Sequence, residues 1–86
     1  MYKNKSLSGS NNICGRKIKE LRLHLPEKTS QRKFADMLQI QGLDIDKNAI
    51  QRIESGARFV TDIELRTIAH VLKVSCDTLL DMQNFD

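Results

Sequence analysis

Three times in this chain one short pattern marks the start of a helix. An apolar residue is followed at once by Asp, Thr or Ser, and a second apolar residue lies four positions after the polar one. The three sets are Ile45, Asp46 and Ile50; Val60, Thr61 and Leu65; and Val74, Ser75 and Leu79. The polar side chain can accept a hydrogen bond from a first-turn N–H that has no partner inside the helix. The two apolar residues close over it as a hydrophobic staple. At Thr61 the signal is stronger, because Glu64 completes a capping box. These starts predict helices near 47–54, 62–73 and 76–82. Starts this closely spaced leave room only for short connections.

The upstream half reads the same way. Cys14, Ile18, Leu21 and Leu25 form one apolar stripe at helical spacing, so a first helix is expected from Ile13. Pro26 disfavours helical geometry at Leu25 and ends it there. Thr29 or Ser30 can cap a second helix that turns Phe34, Ala35 and Leu38 inward. Gly42 and Gly56 suit the turns after the second and third helices. No strand signal appears, and the fold class is all-α, a compact five-helix domain. The expected core is Ile18, Leu21, Phe34, Ala35, Leu38, Ile50, Ile53, Leu65, Ile68, Ala69, Leu72 and Leu79. Ile40 and Leu43 are expected to cover one end of it. Residues 1–12 are polar and read as a flexible N-terminal arm, with one domain over 13–86.

Charge is unevenly spread. Residues 1–33 carry nine basic side chains against Glu20 and Glu27, whereas residues 59–86 carry five acids against Arg66 and Lys73. A basic front and an acidic back suit a polyanion on one side and solvent on the other. Cys14 and Cys76 make no disulfide framework and, with His24 and His70, show no paired metal-ligand spacing. Both histidines read as solvated or locally satisfied. No catalytic set, phosphate-cradling glycine loop, cofactor or metal site is visible, so the chain is expected not to be an enzyme. No apolar run approaches ~18 residues, and no signal peptide follows the basic start. A reduced, cytoplasmic domain with no membrane partner is expected. The aromatic platform usual for single-stranded RNA is missing.

The third helix carries the functional signal. With Ile50 and Ile53 facing inward, Lys47, Asn48, Gln51 and Arg52 occupy the outer surface. Arg and Lys donate to guanine, and Asn and Gln pair with adenine, in a DNA major groove. On its own such a face also fits an ordinary solvated helix.

Five segments supply context. They are Ile18-Lys-Glu-Leu-Arg22, Ser30-Gln-Arg-Lys-Phe-Ala35, Ile50-Gln-Arg-Ile-Glu-Ser-Gly56, Ile63-Glu-Leu-Arg-Thr-Ile-Ala69 and Val71-Leu-Lys-Val-Ser-Cys-Asp-Thr-Leu-Leu80. In this order they resemble the Cro/CI-type helix-turn-helix regulators, the XRE family. The resemblance implies a lambda-repressor-like domain whose second and third helices bind double-stranded DNA. It implies base contacts from Lys47, Asn48 and Arg52, with Gln51 beside them as a further candidate. It implies backbone contacts from Gln31, Ser55 and Arg58, and a scaffold salt bridge between Arg22 and Glu54; Arg32 and Lys17, from the basic front, are further candidates for phosphate contact. A homodimer on a palindromic operator, with half-sites about one helical turn apart, also follows from it. Leu79, Leu80, Met82 and Phe85 are the candidate dimer surface, or else close the core. Control could come from a regulatory protein partner. The alternative is a protein-interaction module of the same fold, antitoxin-like or an assembly partner.

One departure stands out. The family places about ten residues between the second-helix alanine and the first recognition-helix apolar residue, but Ala35 and Ile50 are 15 apart. Gln39 stands where the family has glycine. The added residues are expected to lengthen the second helix and enlarge the loop, carrying Asp44 near the DNA-facing helix.

Overall fold

The computed structural model describes residues 10–80, and these form five helices and no strand. In order they are α1 (Gly15–Leu23), α2 (Gln31–Ile40), α3 (Lys47–Ser55), α4 (Asp62–Leu72) and α5 (Cys76–Leu80). Residues 1–9 of the expected arm, and Met82 and Phe85 of the expected dimer surface, lie outside the described residues.

Local chemistry sets the helix starts. Ser30 Oγ accepts from the Lys33 N–H at 3.0 Å. Asp46 Oδ1 accepts from the Ala49 N–H at 2.8 Å. At Thr61 both halves of the capping box form: Thr61 Oγ1 accepts from the Glu64 N–H at 3.2 Å, and Glu64 Oε1 accepts from the Thr61 N–H at 3.0 Å. Ser75 Oγ accepts from the Thr78 N–H at 3.1 Å. Each cap contributes about 1 kcal/mol. α3 ends on Gly56, whose φ of 85° is left-handed backbone that a side chain would strain.

α1 is shorter than its apolar stripe predicts. It starts at Gly15, because Asn12 Oδ1 takes the Gly15 N–H at 2.8 Å and holds the entry outside the helix. It stops at Leu23, with His24 as its C-cap, ahead of Pro26.

α2 packs on α3, α3 on α1, α4 against α1 and α2, and α5 against α4. Ile18, Phe34, Leu38, Ile50, Ile53, Ile68 and Leu79 are wholly buried at the centre. Each such side chain contributes ~1.5–3 kcal/mol of apolar burial. Leu21 and Leu65 pack against this core while half-buried, and Cys14, Ile45 and Ala49 join it.

Two expectations are corrected here. Ile40 is 81% exposed and covers nothing. It sits two residues past the buried Leu38, and so faces nearly the opposite side of α2; Leu43 does pack against the core, and Ile45 is buried in it. The polar arm also does not reach residue 12 as a free segment. Asn11 and Asn12 are hydrogen-bonded to the chain beyond α3, as described below.

Candidate nucleic-acid interface

α3 divides its residues cleanly. Ala49, Ile50 and Ile53 are buried against α1 and α2, while Lys47, Asn48, Gln51 and Arg52 are all exposed. At 3.6 residues per turn the four exposed positions form a single stripe along the helix. The stripe therefore carries two cations and two carboxamides, the side chains suited to base edges in a major groove.

What fixes α3 in place lies beneath its exposed stripe. Glu54, on the inner edge, receives Arg22 Nε at 2.7 Å and Arg22 Nη2 at 3.0 Å, a two-pronged pair from α1. The same carboxylate receives Gln31 Nε2 from the first residue of α2 at 3.0 Å. Arg22 Nη1 goes on to the Thr29 carbonyl at 2.7 Å. Both partners are removed from water, with side-chain exposures of 7% and 3%. Two buried charges cost much desolvation, so such a pair adds little net stability, yet removing either partner costs about 3–5 kcal/mol. The effect is geometric, because one carboxylate aligns α1, α2 and α3.

The same C-terminal end of α3 is also held by Asn11 and Asn12, which fall in the expected arm. The last carbonyls of a helix lack partners within it. Asn12 Nδ2 donates to the Ile53 carbonyl at 3.1 Å and to the Arg58 carbonyl at 2.7 Å. The Asn11 N–H donates to the Gly56 carbonyl at 2.8 Å, and Asn11 Nδ2 to the Ala57 carbonyl at 2.9 Å. Gly15 allows this approach, since a Cβ there would collide with the Ile53 carbonyl oxygen. No local motif signals these contacts. The only hint was the run of amide side chains itself, which carries donors that a helix end can use.

The expected phosphate contacts differ in how free they are. Lys17 is half-buried and Arg32 exposed, and neither is in an ion pair among the described residues. Gln31 has given one amide donor to Glu54. The Ser55 hydroxyl donates to the Arg52 carbonyl at 3.1 Å. Arg58 is turned away toward α4, where Nη1 and Nη2 meet Glu64 Oε1 and Oε2 at 3.0 and 2.9 Å. That hydrogen bonding pushes the Arg58 pKa up against the effect of burial. Burial would raise the Glu64 pKa, but hydrogen bonds from Arg58 and the Thr61 N–H outweigh it and hold the carboxyl below its ordinary value. Asp44 is exposed at the loop, so its charge lies in solvent.

Burial pushes the Cys14 thiol pKa up, away from the reactive thiolate. His24 Nδ1 lies 2.7 Å from the Glu20 carbonyl at the end of α1, and His70 is exposed on α4. Among the described residues, no three His, Cys, Asp or Glu side chains group closely enough to hold a metal ion. None of the described helices is long and apolar enough to cross a membrane.

A helix-turn-helix family model matches residues 18–79, from the first core residue of α1 to the buried Leu79 of α5. No curated protein and no solved structure matches the chain.

Proposed function

The chain belongs to the Cro/CI-type helix-turn-helix family of DNA-binding regulators, and from that premise we propose that it recognises a specific duplex sequence through α3. α3 enters the major groove, where Lys47, Asn48, Gln51 and Arg52 meet base edges. α2 lies across the backbone, where Arg32 and Lys17 meet phosphates. The observation that carries this reading is the exposed stripe of four polar readers on a helix whose C-terminal turn is held by Arg22, Gln31 and Asn12.

The regulator acts as a homodimer on a palindromic operator. Support comes from Phe59 in the connection before α4 and Ile63 in its first turn, two large apolar side chains that are 51% and 70% exposed. Apolar surface of this kind is what a second copy would cover. Leu79 is spent on the core, so α5 offers only Leu80 among its described leucines.

Selection of bound duplexes from a random library at near-physiological salt tests the reading. Enrichment of a palindrome with half-sites about one turn apart supports it. Asn48→Ala and Arg52→Ala should each cost about 1–3 kcal/mol of discrimination at one base pair while leaving the fold intact. Lys17→Ala and Arg32→Ala should instead weaken binding to all sequences and shrink the salt slope by about 0.9 each. Enrichment of no sequence would favour a protein-interaction module of the same fold, and a co-purifying partner would then be the object to find.

A further inference from the structure

An open cleft of about 340 Å³ runs between α2 and the first turn of α3, lined by Arg32, Asp36 and Gln39 on one side and Asp46, Lys47 and Asn48 on the other. Its charges balance, two cations against two carboxylates. A phosphate would meet Asp36 and Asp46 along with the cations, so it is a poor occupant. A base edge presents donors and acceptors without net charge, and it suits such a lining.

Asp46 is held by its cap on the Ala49 N–H, and Gln39 is the amide whose orientation is fixed. Its Nε2 donates to the Ile45 carbonyl at 2.8 Å. A carbonyl only accepts, so the nitrogen of the amide must face the loop and the assignment is not ambiguous. The long connection between α2 and α3 makes this possible, because it buries Ile45 and turns its carbonyl back toward α2. The bond uses one of two N–H groups. One N–H and the Oε1 acceptor remain on an exposed side chain. That pair is complementary to N7 and the N6 amine of adenine. A side chain already held in place loses less rotamer freedom on binding.

We propose that Gln39, at the end of α2, is a specificity-determining residue that reads one adenine in the major groove beside the base pair reached by Asn48. The inference rests on the DNA-binding reading above and adds a second helix to the reading surface.

The test compares duplex selection by the wild type, Gln39→Ala, Gln39→Glu and Asn48→Ala, with thermal melting of each protein. The wild type should prefer an A·T pair next to the position relaxed by Asn48→Ala. Gln39→Ala should lose that one preference by about 5- to 150-fold and leave the other positions unchanged. Gln39→Glu has acceptors but no donor, so it loses both the bond to the Ile45 carbonyl and the contact to N7, and should lose the adenine preference as Gln39→Ala does. Preferences unchanged at every position, or weakened evenly at all of them, overturn the inference and leave Gln39 as a brace for the loop. A wild type that enriches no duplex overturns the DNA-binding reading itself, and this inference falls with it.

Discussion

Two arginine–glutamate pairs in this molecule share their chemistry and differ in what they do. Arg22 and Glu54 are 32 residues apart in the chain, with side-chain exposures of 7% and 3%. Arg58 and Glu64 are 6 apart, with exposures of 31% and 13%. Both pairs are two-pronged. The first joins three helices through one carboxylate, because Gln31 shares it. The second stays within one corner, because Glu64 is also the partner of Thr61 in the capping box of α4. Burial and sequence separation, rather than the residues themselves, make one pair an alignment device and the other a local clamp.

The largest break in this comparison should come from Arg22→Ala. It strands Glu54 in the interior and should cost about 3–5 kcal/mol, read from urea unfolding. Arg22→Met with Glu54→Leu should recover most of that loss, since replacing both charges removes the desolvation penalty as well. A double variant as unstable as the single one would show that the hydrogen bonds to Thr29 and Gln31, rather than the stranded charge, carry the effect.

Thr61→Ala probes the corner that Glu64 shares with Arg58. Loss of the capping oxygen should cost about 1 kcal/mol, and the melting temperature should fall by a few degrees. A loss as large as that of Arg22→Ala would erase the contrast between the two regions.

The corner also predicts a pH dependence. The carboxyl of Glu64 is held below its ordinary value in the folded protein. Its contribution is therefore complete above the unfolded pKa of about 4.3, and is lost as pH falls through the lower folded value. Glu64→Gln should flatten the acid limb of the stability curve below about pH 5 and leave its shape at neutral pH unchanged. An acid limb identical to that of the wild type would remove Glu64 from the account.

The smallest effect belongs to a third pair, Lys33 and Glu27, with side-chain exposures of 49% and 81%. Lys33→Ala should leave the melting temperature unchanged, because water and salt screen an exposed pair. A measurable fall would mean that burial does not order these pairs.

Legibility in the sequence follows the same division. The caps at Asp46, Thr61 and Ser75 could be read directly, because each joins a side chain to an N–H three residues on, whereas Thr29 and Ser30 were equal candidates until Ser30 took the Lys33 N–H. The inward faces of α2, α3 and α4 were legible from their spacing. The family pattern pointed to Arg22 with Glu54, although spacing alone could not join residues so far apart. Ile40 misled because hydrophobicity does not say which side of a helix end a residue occupies.

The sequence by itself determined where α3, α4 and α5 begin and which side of α2, α3 and α4 turns inward. Those outcomes depend on neighbours within one or two turns, whose positions the helix supplies. Only the tertiary structure decided that Asn11 and Asn12 close the end of α3, that Gln31 joins the Arg22–Glu54 pair, and that Gln39 is pinned to Ile45. Each of these bonds spans a loop or joins separate elements, and its partner is brought into reach by packing elsewhere. A polar side chain can meet such a carbonyl or carboxylate only after the core has placed both ends.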